Sequence, residues 1–273
     1  MENVILYAAM FSASVLSGML GVGVAFAAVP ILGIAGMDLL NGIQPVALFL
    51  NGVTALFSAI AFARGGFVDW PKSYRLAIVA SIFSPLGAAA TQWVQEASLW
   101  IVYFVAVAVV VYLLLRDRPK TEQRLPLVVV LLIAAPVSAI SGLLGVGPGF
   151  LLVPIMIFAG FDSRSAAAMN AVAVTPSSFL SLIPHLGHAS IDTGVGLPIV
   201  VASAVGALLG GYLSSTRVPE IALRRLFVVV IVALSLYQAF ALEMAELQRT
   251  AGDKDCPESA VRANAYPGPC RGS

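Results

Sequence analysis

Seven apolar runs divide the chain: Val46–Ala63, Leu76–Val94, Leu99–Leu115, Leu125–Ser141, Ala166–Leu186, Val195–Leu213 and Leu226–Leu242. Each is near the length that crosses a hydrocarbon core of about 30 Å as a helix. Almost none carries the polar stripe at helical spacing that a soluble helix shows on its outer face. Ahead of them lies a different pattern. Val4 to Gly36 stays apolar for 33 residues, which as one helix would be about 50 Å long and overshoot a bilayer. Gly18, Gly21 and Gly23 fall in its middle, and a glycine inside a helix costs about 1 kcal/mol against alanine. A break at Gly21–Gly23 leaves arms of roughly 20 to 25 Å. Arms that short suit a broken, re-entrant hairpin enclosed by protein rather than a crossing.

The same pattern returns. Ser17-Gly18-Met19-Leu20-Gly21-Val22-Gly23 through Asp38 matches Ser141-Gly142-Leu143-Leu144-Gly145-Val146-Gly147 through Asp162 at 13 of 22 positions without a gap. Unrelated apolar stretches would agree at roughly a tenth to a fifth of positions. The duplication continues beyond that stretch, where Asn51 aligns with Thr175, Thr54 with Ser178, Asp69 with Asp192, and Gly87 with Gly210. The chain is therefore read as a first membrane repeat over residues 1–115, a cytoplasmic linker over 116–124, a second repeat over 125–242 and a polar tail over 243–273.

Charge decides the topology. With each glycine segment a hairpin and three further crossings per repeat, the two copies are inverted. Arg64, Lys72, Arg75, Arg116, Arg118, Lys120, Arg124, Arg164, Arg217, Arg224 and Arg225 then share one face, while the opposite short loops carry no Lys or Arg. A single-crossing reading splits the same charges seven against four. The positive-inside rule favours the inverted arrangement, with both termini outside the cytoplasm. The expected fold is an all-α polytopic membrane protein of two inverted repeats, each a broken hairpin plus three spanning helices. In a bacterium its place is the inner membrane, and Cys256 and Cys270 of the tail would lie in the periplasm. There a disulfide can persist, and two free thiols are the alternative. The N-terminus shows neither a basic n-region nor a cleavage site, so no removable signal is expected.

Composition narrows the chemistry. The chain is 59% hydrophobic and 11% charged, with a formal net charge of +1, against roughly 25% charged in a soluble domain. Nothing in it points to nucleic acid, to a cofactor or to a metal. No Walker motif and no His-Glu-x-x-His occurs, so ATP drive and intramembrane catalysis are both disfavoured. The apolar runs hold no convincing buried Lys or Arg. An anion site must rest on backbone amides, helix dipoles and neutral polar side chains. Gly21, Gly23, Gly145 and Gly147 would open the backbone, so that each second arm starts inside the membrane with free N–H groups. Asn51 and Thr54, and Asn170, Thr175, Ser177 and Ser178, are the polar candidates. Against this stand close helix packing for the glycines and back-bonding to the helix's own carbonyls for the hydroxyls. Pro30 and Pro154 would kink the second arms. Asp38, Asp69, Asp162 and Asp192 are expected as helix caps. His185 and His188 read as surface or interface residues, with proton coupling the lesser alternative.

The doubled Ser-Gly-x-Leu-Gly-Val-Gly…Val-Pro-Ile signature, with the Gly66-Phe67-Val68-Asp69-Trp70 turn, resembles the TauE/SafE family from about Val4 to Leu242. The resemblance implies a secondary permease exporting a small sulfur oxyanion, sulfite or an organosulfonate such as sulfoacetate, by alternating access. A channel, or a permease for another small organic acid, is the alternative. Lipid and the anion are the implied partners, and a homodimer is left open. The first copy departs from the pattern, since Val24-Ala25 stands where the second has Pro148-Gly149, which would narrow the first half-site. An interior negative by about 100 mV favours outward movement by ~2.3 kcal/mol per anionic charge.

Overall fold

The computed structural model describes residues 2–34, 43–94, 125–185 and 193–216, with isolated positions between 98 and 112 and between 218 and 240. Among the described residues the fold is all-helical. The helices are α1 (Glu2–Leu20), α2 (Ala25–Ile34), α3 (Gln44–Arg64), α4 (Trp70–Ala90), α5 (Leu127–Leu143), α6 (Gly149–Phe158), α7 (Ser163–Leu182) and α8 (Thr193–Thr216). Met1–Ile231 forms one unit, and Val232–Ser273 another, in which the described positions are helical with Leu236 and Phe240 exposed. Asp38, His188, Asp192, the 116–124 segment, Cys256 and Cys270 lie outside the described residues.

Local chemistry sets the helix ends. α3 carries Pro45 in its first turn, where the missing N–H costs nothing. Asp69 caps α4 by accepting the Lys72 N–H at 3.3 Å, and Asp162 caps α7 by accepting the Ser165 N–H at 2.9 Å, both as expected. The glycine segments break where the sequence pattern placed the break. Gly21, Gly23, Gly145 and Gly147 have φ of 64°, 80°, 68° and 79°, a region other residues enter at a cost of roughly 1–2 kcal/mol. The arms are less equal than expected. α1 has 19 residues and α2 has 10, so at 1.5 Å per residue they run about 28 and 15 Å. Gly18 does not end α1 early, because it stays helical and packs against the backbone of Ala207 on α8. In the second copy the Leu125 N–H donates to the Ala159 carbonyl at 3.0 Å. The far end of that hairpin therefore returns beside its beginning.

The packing repeats with the sequence. α1 lies on α8 as α5 lies on α4, α3 lies on α8 as α7 lies on α4, and α2 meets α3 as α6 meets α7. Glycine sets the closest approaches. Gly87 sits on the backbone of Ala139 and Leu143, and Gly210 on that of Val15 and Met19; Gly142 sits on Ser84 as Gly18 sits on Ala207. A Cβ at any of the four would run into a carbonyl oxygen, which is the close packing small residues allow between membrane helices. At the centre, α3 and α7 run antiparallel. Asn51, early in α3, bonds Ser178, late in α7, whereas Phe62, late in α3, packs with Ala167 and Ala168, early in α7.

The outer surface is apolar. Ile78, Ile82 and Leu86 on α4, Val128 and Leu132 on α5, and Leu197, Val201, Val205 and Leu209 on α8 are exposed at four-residue spacing. Gln44–Arg64, Trp70–Ala90 and Leu197–Thr216 are long and apolar enough to cross a membrane. The basic helix ends gather on one side. Arg164, at the start of α7, donates from Nη2 to the Val218 carbonyl at 2.6 Å and lies over the Phe67 ring at 5.5 Å. That joins the α3–α4 turn, flanked by Arg64 and Lys72, to the segment after α8.

Candidate substrate site at the two glycine turns

The two turns meet around a set of side-chain amides. Asn51 is fully buried. Its Oδ1 accepts the Ala25 N–H at 2.9 Å, at the first residue of α2, and its Nδ2 donates to Ser178 Oγ at 2.9 Å. The same amide touches Gly23 and Gly147, and a Cβ on either would overlap it. One side chain thus contacts both turns. Thr54, one helical turn further along α3, accepts the Val24 N–H at 3.0 Å and donates to the Leu50 carbonyl at 2.7 Å.

This corrects one expectation. At the N-terminus of α2 the N–H groups of Val24 and Ala25 are not free, because they end on Thr54 and Asn51. Buried backbone donors without water must find such partners, and α3 supplies them.

The second turn is built differently. Pro148, in place of Val24, has no N–H. The Asn170 Nδ2 donates to the Gly21 carbonyl at 2.6 Å and lies 3.5 Å from the Gly149 carbonyl. Its Oδ1 has no partner although Asn170 is fully buried. Gln44 closes the other flank. Its side chain lies against Gly145, and its Oε1 is likewise buried without a partner. Gly149 itself sits so close to the Val22 carbonyl and Asn170 that a Cβ would not fit. Gln44, Asn51 and Asn170 therefore face Gly145, Gly147 and Gly149 in turn.

No Asp, Glu, Lys, Arg or His occurs in α2, α5 or α6, and those of α3 and α7 are Arg64 and Arg164 near the helix ends. Polarity at the turns comes from amides, hydroxyls and the positive ends of the short helices. Among the described residues no group of His, Cys, Asp and Glu could hold a metal ion.

Comparison with known proteins agrees with this architecture. Residues 6–238 match the family described as Sulfite exporter TauE/SafE. The chain belongs to the TauE/SafE family. A probable membrane transporter protein of Xylella fastidiosa (strain 9a5c) is 27% identical over 233 residues, covering 81% of this chain and 88% of its own. One from the Temecula1 strain is 26% identical with the same coverage. One from Methanocaldococcus jannaschii is 22% identical over 221 residues, 72% of this chain and 82% of its own. No solved structure matches.

Within this TauE/SafE chain the geometry sorts the sequence candidates. Gly21, Gly23, Asn51, Thr54, Gly145, Gly147, Asn170 and Ser178 come together at the turns. Thr175 and Ser177 do not join them, since their hydroxyls bond the Ala171 and Val174 carbonyls of their own helix at 2.8 and 3.0 Å. The expected equivalence of Asn51 with Thr175 is also corrected. Asn51 and Asn170 each set a carboxamide against the first residue of the short helix, Ala25 or Gly149, though with different atoms. α3 and α7 begin 119 residues apart, at Gln44 and Ser163, so the register between them is 119 residues rather than 124. That register pairs Thr54 with Ala173, and Ser58 with Ser177. Gln44 escaped sequence reasoning, although its place seven residues before Asn51 puts both carboxamides on one face of α3. Two further buried contacts were missed: Ser58 Oγ donating to the Gly18 carbonyl at 2.8 Å, and the Ser84–Ser181 hydroxyl pair at 2.9 Å.

Proposed function

We propose that this TauE/SafE chain is a secondary transporter that exports a small sulfur oxyanion, sulfite or an organosulfonate such as sulfoacetate, by alternating access. The observation that carries the reading is the meeting of two duplicated glycine turns at a buried, uncharged cluster of amides. Such a cluster can strip water from an anion and offer it N–H and O–H donors without trapping it by full charge. Gly21, Gly23, Asn51, Thr54, Gly145, Gly147, Asn170 and Ser178 form the binding region, with Thr175 and Ser177 on the helix behind it. The antiparallel pair α3 and α7 supports an inverted repeat, because equivalent helices of the two copies point to opposite sides. Rocking one copy against the other would then expose the same centre to either side. The gathering of Arg64, Lys72 and Arg164 on one side supports a cytoplasmic face there, with the termini in the periplasm of a bacterial inner membrane. The exposed apolar stripes of α4, α5 and α8 face lipid.

The test is transport of labelled sulfite and sulfoacetate in proteoliposomes under an imposed potential. Saturable movement, accelerated by a potential that drives anions outward and lost in Gly147→Val, is expected. If folded protein moves neither anion, the reading is wrong.

A further inference from the structure

The two turns are not equivalent, and the difference bears on which form of the anion is carried. At the first turn every polar group named above is matched: Val24 N–H with Thr54, and Ala25 N–H with Asn51. At the second, the donor and its acceptor have been removed together, since Pro148 lacks an N–H and Ala173 lacks the hydroxyl of Thr54. The remaining cap is undone. Asn170 turns its Nδ2 to Gly21, leaving its Oδ1 without a partner and the Gly149 N–H without the cap that Ala25 receives. The Gly149 N–H at the start of the ten-residue helix α6 and the orphaned Oδ1 of Asn170, whose Nδ2 lies 3.5 Å from the Gly149 carbonyl, are thus left in one place. Gln44 Oε1, against Gly145, is a second buried acceptor with no partner.

We propose that substrate seats at the second turn alone, as an oxyanion that still carries a proton, lodged between the Gly149 N–H and Asn170 Oδ1. An ionised oxygen takes the N–H and the positive end of α6. The protonated oxygen donates to Oδ1, whose isolation otherwise costs about 1–3 kcal/mol. A fully ionised anion can satisfy the donor but sets its own negative oxygen against the acceptor. The site therefore selects hydrogensulfite over sulfate and over sulfoacetate, neither of which carries a proton near neutral pH. This rests on the transport reading and narrows it. Among the described residues the protein adds no titrating group of its own at the seat. α2, α5 and α6 have none, α3 and α7 have only the arginines at their ends, α1 has Glu2 and Tyr7, and α8 has Tyr212. α4, packed on α5 and α7, has Lys72, Tyr74 and Arg75 near its start with Asp69 as its cap, and His185 follows three residues after α7.

The experiment is zero-trans flux of labelled sulfite, sulfate and sulfoacetate in proteoliposomes, with equal pH on both sides, between about pH 6.5 and about pH 8.5. Flux through protein-free vesicles is subtracted. Sulfite flux should fall by about tenfold per pH unit on the alkaline side, as the protonated species does. Sulfate and sulfoacetate should move at least about tenfold more slowly than sulfite at the acid end. Asn170→Ala should flatten the sulfite profile; should that variant not fold, the wild-type profile decides. A sulfite flux independent of pH, or sulfate or sulfoacetate moving as fast as sulfite, overturns the proposal and leaves the transporter reading standing. Water alone would then fill the seat. Movement of none of the three overturns both.

Discussion

Replacing Thr54 by valine isolates one cap of the first turn. Valine keeps the shape and removes the hydroxyl, so no cavity forms. The Leu50 carbonyl, which loses the hydroxyl, keeps its place in the backbone ladder of α3. The Val24 N–H is different. Val24 is fully buried, and its acceptor at 3.0 Å is gone. An orphaned buried donor costs about 1–3 kcal/mol. Thr175→Val is the internal control, because that hydroxyl only doubles a bond on the Ala171 carbonyl of its own helix. Back-bonding of this kind adds little to a helix, and its loss should fall within about 0.5 kcal/mol. The assay is reversible denaturant unfolding in mixed micelles, followed by circular dichroism. Thr54→Val should lie at least about 1 kcal/mol below Thr175→Val. Equal stabilities would refute the argument that α3 caps the first turn, since both threonines would then be ordinary helix residues.

Four further outcomes are expected. Gly142→Ala, which drives a Cβ into the Ser84 carbonyl, should abolish monodisperse folded protein on size exclusion. Gly66→Ala has a positive φ but nothing within 4 Å, so it should cost only about 1–2 kcal/mol. In a double-mutant cycle, Ser84→Ala and Ser181→Ala should couple by about 0.5–1.5 kcal/mol, the worth of their mutual bond in denaturant unfolding. Asp162→Ala should lower stability by about 1 kcal/mol through loss of the α7 cap, and Asp162→Asn should recover most of it.

The turns were legible in the sequence because their constraint is local. A positive φ at Gly21, Gly23, Gly145 and Gly147 is a property of single residues, and it stays in register over the ungapped repeat. The roles of Gly18, Gly142, Gly87 and Gly210 were open from composition, since a glycine that lets two backbones touch looks the same as one that lets a chain turn. Their partners Ala207, Ser84, Ala139 and Val15 lie on other helices, and only packing reveals them. The Asn51–Asn170 equivalence was hidden for another reason. The stretch between the hairpin and the following helix is five residues longer in the first copy, so an ungapped register slides Asn51 onto Thr175. Nothing in the apolar runs marks that insertion, whereas the helix starts at Gln44 and Ser163 fix it. Arg164 was read from charge as a topology marker, and its seat over Phe67 required the α3–α4 turn to be brought to it.

The paired exchange of Val24 and Thr54 for Pro148 and Ala173 sets a limit on how this duplicated gene can be rebuilt. The two exchanges together remove a donor and its acceptor, so neither half alone is defective, and the mismatch appears only when the halves are mixed. A tandem of two first halves would be sealed at both turns, stable and without an open place for a ligand. A tandem of two second halves would leave two asparagine oxygens in search of a proton and no neighbour to brace them. If substrate seats at the second turn alone, the unlikeness of the two copies is what that single seat requires.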